Sequence, residues 1–324
     1  MTPVRWGFLG AGFVAGMAMG PAVHAAHNAE LQVVGARDED RALSLSPTRV
    51  VSTYEEVITD SDVDAVYISL TNEVHEQWVR AALNADKFVL CEKPLAISHA
   101  SAQRMIRGAK QGQLVEALWY RWHPRFQRTL DVVASGAIGE ITAIESTFCF
   151  DGVPEDNYRL QASRGGGATL DVGPYTLDSA MQVIGAATGQ PVSDVEIVRR
   201  RTLKSHGKDG VDLTTQAELL MNDVPVTWRV SINSPAEQTF RVTGTLATLS
   251  WTGAEAFTVW KSPCELTLTD TSTGSNTSEV FESCDPYQLM VEQCGEVMRQ
   301  GSATLMSNED SLQLADIIDQ VRED

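Results

Sequence analysis

A lysine, a carboxylate and a phenol stand out as side chains that could transfer a proton and stabilise a developing negative charge. Lys93 follows an apolar run in "VLCEKPLA". Asp171, Tyr175 and Asp178 are spaced i, i+4, i+7, which places them on one face of a helix if that segment is helical. A phenol, with a pKa of about 10, suits the role of acid better than base, and a nearby amine lowers that pKa. The plainer alternatives are a strand that reaches solvent at Lys93 and a core tyrosine. Pro174 indicates that the helix begins there or is distorted.

The stretch "GAGFVA" places Gly10, Gly12 and Ala15 in a G-x-G-x-x-A pattern, with Phe13 and Val14 between them. It follows a predicted strand and opens a predicted helix, the context of a dinucleotide-binding turn. Gly10 permits the tight turn, Gly12 lets the backbone approach a pyrophosphate, and the helix N-terminus faces the anion. The alternative is a tight turn without a ligand.

The end of the next predicted strand bears on the choice of cofactor. An NAD site usually has an acidic residue there, whereas this chain has Ala36 followed by Arg37. An arginine can pair with a 2′-phosphate, so NADP is favoured over NAD. The alternative is that Arg37 pairs with the neighbouring acids, of which Asp38 is the first.

The elements that must position these residues fall into two groups. Residues 1–120 alternate apolar strands and helices, which predicts a doubly wound parallel sheet with helices on both faces. Residues 121–324 carry helices and several alternating segments, including "FTVWKS", which predict a mainly antiparallel sheet with one free face and a dimer or tetramer formed through it. "TSTGSNTS" is predicted to be a surface loop, and the last two helices could pack back on the first domain.

Composition narrows the class of protein. The net charge of −18 disfavours nucleic acid as a partner. Five scattered cysteines encode neither a disulfide framework nor a zinc site and favour a reducing cytoplasm. The glycine-interrupted N-terminal segment is not expected to be a signal peptide, and no run reaches the length of a membrane span.

Four motifs in order, "GAGFVA", "TNEVH", "CEKPLA" and "GGGATLDVGPYTLD", make the chain resemble the glucose–fructose oxidoreductase and inositol dehydrogenase family. The resemblance implies a Rossmann domain, a second α/β domain, and oxidation or reduction of one carbon of a sugar, cyclitol or diol with NAD(P). It places Lys93 beside the nicotinamide and implies that the Lys93–Pro94 peptide is cis. Tyr175 stands where many relatives have histidine, and tyrosine at this place is typical of the dihydrodiol dehydrogenase branch. Asp171 completes the proposed catalytic set with Lys93 and Tyr175.

The resemblance also suggests binding residues. Besides the glycine turn and Arg37, the resemblance suggests polar cofactor-binding residues at strand ends and in loops. These are Thr71, Asn72, His75, Glu92, Lys93, Arg121 and Arg159. For the substrate it suggests Lys93, Tyr120, Arg121, Asp171, Tyr175 and Asp178, with Trp119 and His123 as further contacts. His75 could instead cap a helix, and "EALWYRWHP" could be ordinary aromatic packing.

The sequence is interpreted as an NADP(H)-dependent oxidoreductase that acts on a sugar, ketosugar or vicinal diol. In this interpretation Tyr175 exchanges the proton, Lys93 stabilises the oxyanion and Asp171 orients the pair; Lys93 itself remains a possible proton carrier. The alternatives are an NAD-dependent cyclitol dehydrogenase and a non-catalytic NAD(P)-sensing regulator with the same fold.

Overall fold

A computed structural model of the chain describes residues 2–207, 210–301 and 305–322. The chain divides into two compact units. One comprises Met1–Trp122 and Asp285–Asp316, and the other comprises His123–Cys284 and Ile317–Asp324.

The first unit is built on a six-stranded parallel sheet. Most of its strands are largely buried, and Ala65–Ile68 and Phe88–Cys91 are apolar and buried over their whole length, as expected for a sheet covered on both faces. The strand order is β3-β2-β1-β4-β5-β6, which is the doubly wound order of the Rossmann fold. The strands are β1 (Val4–Leu9), β2 (Ala29–Gly35), β3 (Arg49–Val51), β4 (Ala65–Ile68), β5 (Phe88–Cys91) and β6 (Leu114–Glu116).

Helices connect these strands, and several begin at side chains that cap their free N–H groups. Thr53 and Glu56 form a reciprocal capping box, and Ser98 accepts a bond from the Ser101 amide. After β1 a π-helical segment, Ala15–Met19, continues into α1 (Gly20–Ala25). The other helices of this part are α2 (Glu39–Ser44), α3 (Tyr54–Thr59), α4 (His75–Asn84) and α5 (His99–Gly108), with 3₁₀ turns at Asn72–Val74 and Trp119–Trp122.

The second unit contains an eight-stranded sheet in the order β14-β13-β12-β11-β7-β10-β9-β8. Among the strand pairings of the described residues in this sheet, β7–β10 alone is parallel. Burial alternates along the strands: Val226, Trp228 and Val230 are buried, whereas Thr227 is exposed. One face therefore packs and the other is open. The strands are β7 (Ile141–Cys149), β8 (Val195–Lys204), β9 (Asp212–Met221), β10 (Val224–Ser231), β11 (Glu237–Gly244), β12 (Ala247–Thr252), β13 (Cys264–Asp270) and β14 (Asn276–Phe281).

Three helices belong to the middle of the chain and two to its end. They are α6 (Pro124–Ala134), α7 (Ala168–Asp171), α8 (Gly173–Thr188), α9 (Pro286–Gln300) and α10 (Asn308–Arg322). Short 3₁₀ turns, Tyr158–Leu160 and Ala162–Arg164, precede α7. Within the described ranges, every helix is too short or too polar to cross a membrane.

The predicted fold class is confirmed, and two local predictions need correction. "FTVWKS" is not a strand, because residues 257–262 form a loop in which Phe257 and Val259 are buried. The "TSTGSNTS" segment is a turn only at its start, since β14 begins at Asn276 and pairs with β13.

Candidate active site

The turn after β1 is shaped by two glycines for different reasons. Gly10 has a φ of +95°, and a Cβ there would lie 2.6 Å from the carbonyl oxygen of Ser69, which follows β4. Gly12 lies outside the left-handed region, and the nearest protein atom to a Cβ there would be the Ser69 hydroxyl oxygen at 3.6 Å. Packing within the protein therefore requires glycine at position 10 only. At position 12 a Cβ would make only ordinary van der Waals contacts with Ser69, so protein packing does not require glycine there, which fits a backbone that must approach a pyrophosphate.

The flanking residues of this turn also fit a dinucleotide. The turn lies between the ends of β1 and β4, where the strand order reverses and ligands bind in doubly wound sheets. Phe13 is 77% exposed, Val14 is half-buried, and Ala15 is fully buried under the helix.

Arg37 lies exposed just beyond β2. Among the residues that the structure describes, it makes no hydrogen bond or ion pair. Asp38 instead accepts a bond from the Arg41 amide at 3.0 Å and pairs with the Arg41 guanidinium at 3.3 Å, which caps α2. The alternative in which Arg37 pairs with its acidic neighbours is therefore not found.

Lys93 is half-buried in the loop that follows β5, and its peptide bond to Pro94 is cis. The preceding Glu92 anchors this loop. One of its carboxylate oxygens accepts a 2.6 Å hydrogen bond from the Tyr67 hydroxyl, and the other accepts a bond from the Lys93 amide at 3.3 Å. Burial, together with the charge of Glu92, raises the pKa of Tyr67 well above its ordinary value, so this phenol stays protonated and donates.

His75 is fully buried at the start of α4 and joins two loops. Its Nδ1 lies 3.0 Å from the Pro94 carbonyl oxygen, and its Nε2 lies 3.1 Å from the Leu70 carbonyl oxygen. It does not cap the helix, and burial lowers its pKa. His75 thus contacts the loop that carries Lys93 through Nδ1 and the loop after β4 through Nε2. Binding of the cofactor by His75 stays a prediction. Thr71 and the buried Asn72 lie in the adjoining loop after β4.

The Trp119–Trp122 turn is buried. Trp119 stacks on Tyr287 at a ring-centroid distance of 4.7 Å, and Tyr120 is also buried. Arg121 is 1% exposed, and its guanidinium binds the Asp310 carboxylate at 2.9 Å. These contacts favour the packing alternative for Trp119 and give Arg121 a structural partner; substrate or cofactor contact by Tyr120 and Arg121 stays a prediction.

In the second unit, Asp171 ends α7 and is 5% exposed. The Arg159 Nε donates to its carboxylate at 2.7 Å, and the Arg159 guanidinium lies 4.9 Å from the centre of the Tyr158 ring. Burial acts to lower the pKa of Arg159, but the charges of Asp171, Tyr158 and Tyr175 outweigh it and raise that pKa. Arg159, predicted to bind the cofactor, thus holds Asp171 and lies within electrostatic reach of Tyr175.

Tyr175 lies in the first turn of α8, which begins at Gly173 and includes Pro174, as the sequence indicated. A break at Val172 separates this helix from α7, so Asp171 is not on the same continuous helix as Tyr175. Asp178 follows on α8 and is fully buried.

An aromatic cluster supports Tyr175, and nothing local in the sequence pointed to it. The Tyr175 ring packs at 5.6 Å from Phe148 and 6.4 Å from Phe257, which stack on each other at 5.8 Å. The loop before Phe257 is held by buried Arg125, which donates to the Ala256 carbonyl oxygen at 2.7 Å. The cluster joins side chains more than 100 residues apart, which only the folded chain brings together.

His123, a suggested substrate contact, is buried and used locally. Its Nδ1 accepts a bond from the Arg125 amide at 3.1 Å, which caps α6, and its Nε2 lies 3.8 Å from the Cys264 sulfur. Burial and the charge of Arg125 lower its pKa to about 4, so the ring is neutral.

Comparison with known proteins agrees with this geometry. Two family models match the chain: an oxidoreductase family with an NAD-binding Rossmann fold over residues 4–118, and the GFO/IDH/MocA C-terminal domain over residues 126–250. The chain belongs to this family, and it is an NAD(P)-dependent oxidoreductase. The resemblance inferred from the four motifs is confirmed.

Individual relatives act on sugars and diols. The chain is 31% identical to D-xylose 1-dehydrogenase (NADP(+)) 2 of Haloferax volcanii over 99% of this chain and 97% of the relative. It is 30% identical to trans-1,2-dihydrobenzene-1,2-diol dehydrogenase of Mus musculus over 75% of this chain and 72% of the relative. Matches to several other curated relatives span 57% to 66% of their lengths.

A similar solved structure is KijD10, a 3-ketoreductase from Actinomadura kijaniata, in complex with NADP and TDP-benzene. It superposes with a TM-score of 0.87 at 26% identity over 99% of this chain and 97% of that chain. Solved structures of the same reductase include a lysine-to-alanine and a tyrosine-to-phenylalanine variant.

Proposed function

We propose that this protein is an NADP(H)-dependent oxidoreductase that moves a hydride between the nicotinamide and a carbon of a sugar, ketosugar or vicinal diol. The observation that carries the proposal is Lys93, half-buried at the carboxyl end of β5 in the same sheet as a glycine turn that fits a pyrophosphate. The sugar- and diol-acting relatives support this substrate class.

Each catalytic side chain has a distinct task. The bound cofactor supplies or accepts the hydride. When a ketone is reduced, the Tyr175 phenol gives its proton to the substrate oxygen, and the Lys93 ammonium stabilises the negative charge that develops there. Asp171, held by Arg159, orients this set. In oxidation the substrate hydroxyl gives its proton to the phenolate form of Tyr175.

A substrate panel with variants tests this function. Aldoses, ketosugars, inositols and diols are assayed with both cofactors for the wild type, Lys93→Met and Tyr175→Phe. We expect Lys93→Met to abolish turnover while NADPH binding remains nearly intact. Lys110→Met is the matched control, because Lys110 pairs on the surface with Asp86.

The variants also distinguish the proton carrier, since full activity in Tyr175→Phe would assign the proton to Lys93. A loss of NADPH affinity in Lys93→Met as large as its loss of rate would refute the catalytic assignment. Binding of NADPH without turnover of any compound would instead indicate a sensor.

The preference for NADP rests on Arg37, which is exposed and is not used by the neighbouring Asp38. We expect Arg37→Ala to lose the preference for NADP⁺ over NAD⁺, because the guanidinium pairs with the 2′-phosphate. Arg41→Ala is the control for loss of a nearby positive charge. A wild type that binds NAD⁺ more tightly, unchanged in Arg37→Ala, would support an NAD-dependent cyclitol dehydrogenase.

We also propose that the protein forms a homodimer or homotetramer through the open face of the second sheet. That face carries exposed polar residues and cross-strand ion pairs, such as Arg229–Glu237 and Arg241–Glu145. Sedimentation velocity of the wild type tests it, and a monomer at micromolar concentration would refute it.

The five cysteines are free thiols, which supports a reducing cytoplasm as the compartment.

A further inference from the structure

Asp212, the first residue of β9, reaches the helix that carries Asp171. One of its carboxylate oxygens accepts bonds from the Thr169 amide at 2.7 Å, the Thr169 hydroxyl at 2.7 Å and the Thr215 hydroxyl at 3.3 Å. The carboxylate therefore satisfies a free N–H in the first turn of α7. It acts as a helix cap although it lies 43 residues away in sequence.

The helix cannot supply this cap itself. Its N-cap residue is Gly167, which has no side chain and has a φ of +111°. A Cβ at Gly167 would lie 2.0 Å from the other oxygen of Asp212, so Asp212 occupies the space that a local capping side chain would need. The α7 helix is only four residues long, and Asp171 is its last residue.

Two further bonds link this cap to Asp171. The Asp171 amide donates to the Gly167 carbonyl oxygen at 3.0 Å, and the Gly167 amide donates to the Arg159 carbonyl oxygen at 2.9 Å. The Arg159 side chain then returns to the Asp171 carboxylate. The backbone of Asp171 is thus fixed from the Asp212 side, and its carboxylate from the Arg159 side.

We propose that Asp212 is a positioning residue that, from the start of β9, caps α7 and so holds Asp171 in its working orientation. The proposal rests on the proposed function, in which Asp171 orients the proton-transfer set. In this proposal Asp212 acts through its bonds to Thr169.

The test compares Asp212→Ala, Asp212→Asn and Thr169→Val in the full-length protein. Asp270→Ala is the matched control, since the Asp270 carboxylate also accepts from backbone amides and hydroxyls, two of each, but at the exposed end of β13. Three quantities are measured: kcat and KM for NADPH-dependent reduction of the best substrate in the panel, the Kd for NADPH, and hydrogen–deuterium exchange of the peptide covering residues 165–172.

We expect Asp212→Ala to speed exchange in that peptide and to lower kcat by about 10- to 100-fold, the scale for a small misplacement of a reacting group. KM and the Kd for NADPH should change by less than about threefold, because interactions that act in the transition state alter kcat rather than binding. Asp212→Asn keeps an acceptor oxygen and should recover most of kcat. Thr169→Val keeps the backbone N–H and should fall between the two.

Several results would overturn the proposal. These are exchange in residues 165–172 that is unchanged in Asp212→Ala, faster exchange with an unchanged kcat, or a loss of kcat no larger than that in Asp270→Ala. If Asp212→Ala does not fold, Asp212→Asn and Thr169→Val decide by the same criteria. A wild type without turnover would refute the proposed function instead, and the exchange measurement would still decide whether Asp212 caps α7.

Discussion

The two glycines of the turn after β1 can be separated by experiment, because the structure gives them different reasons to be glycine. Gly10→Ala should lower the free energy of unfolding, whereas Gly12→Ala should leave the fold intact and weaken NADPH binding. Gly16→Ala is the control, since a Cβ there would meet only Leu45 at 3.9 Å.

The size of the Gly10 effect follows from three contributions. An alanine at a φ of +95° costs about 1–2 kcal/mol. A Cβ at 2.6 Å from the Ser69 carbonyl oxygen adds roughly 1–3 kcal/mol of overpacking. The lower entropy of the unfolded alanine chain offsets about 0.4–1 kcal/mol. The net loss is about 1–5 kcal/mol, and its midpoint of about 3 kcal/mol corresponds to roughly 6–12 °C in Tm for a unit of this size.

The Gly12 effect falls on the ligand. A methyl group there meets no protein atom closer than 3.6 Å, so the Tm should stay within about 2 °C of wild type. The methyl group would keep a phosphate from one backbone N–H, and a hydrogen bond to a charged group contributes about 1.5–3 kcal/mol, so the Kd for NADPH should rise about 10- to 100-fold.

Differential scanning fluorimetry and titration of NADPH fluorescence measure the two effects on the same samples. Gly16→Ala should change the Kd by less than about twofold and the stability by no more than about 1 kcal/mol. The reasoning fails if Gly12→Ala binds NADPH as tightly as wild type, or if Gly10→Ala melts at the wild-type temperature.

Two further variants test the packing and the electrostatics. Phe257→Ala removes a fully buried ring stacked on Phe148 beneath Tyr175, and should lower the free energy of unfolding by about 3–5 kcal/mol; a urea midpoint within error of wild type would contradict the packing described. The Glu76 carboxylate is bound by Arg104 at two 2.6 Å contacts, which lower its pKa from 4.5 to about 2. Because the pKa of Glu76 is lower in the folded than in the unfolded chain, its ion pair stabilises the fold above the unfolded-state pKa, and this stabilisation is lost as the pH falls towards the folded-state pKa. Glu76→Gln should therefore lower the free energy of unfolding by about 1 kcal/mol at pH 7 after solvent screening. In urea titrations that difference should shrink between pH 5 and pH 2, and a constant difference would rule out the ion pair as its cause.

Much of the fold could be predicted because its signals are local. The apolar runs of β1, β4 and β5 are buried over nearly their whole length, and buried parallel strands must be apolar on both faces. The glycine turn could be predicted equally well, since a strand, a G-x-G turn and a helix follow one another within 25 residues. Prediction failed at "FTVWKS", where alternating apolar residues suggested a strand. The loop instead buries Phe257 and Val259 among residues distant in sequence.

The candidate site divides along the same line. Sequence alone determined the residue types that can do the chemistry and the strand ends that bear them, because backbone geometry at a strand end or a tight turn depends on a few adjacent residues. Only the tertiary structure decided that Arg159 holds Asp171, that Asp38 leaves Arg37 available, and that Asp212 caps a helix which has no capping side chain of its own. Those contacts depend on which strand lies next to which loop, and that is set by the packing of the whole sheet rather than by any short stretch of chain.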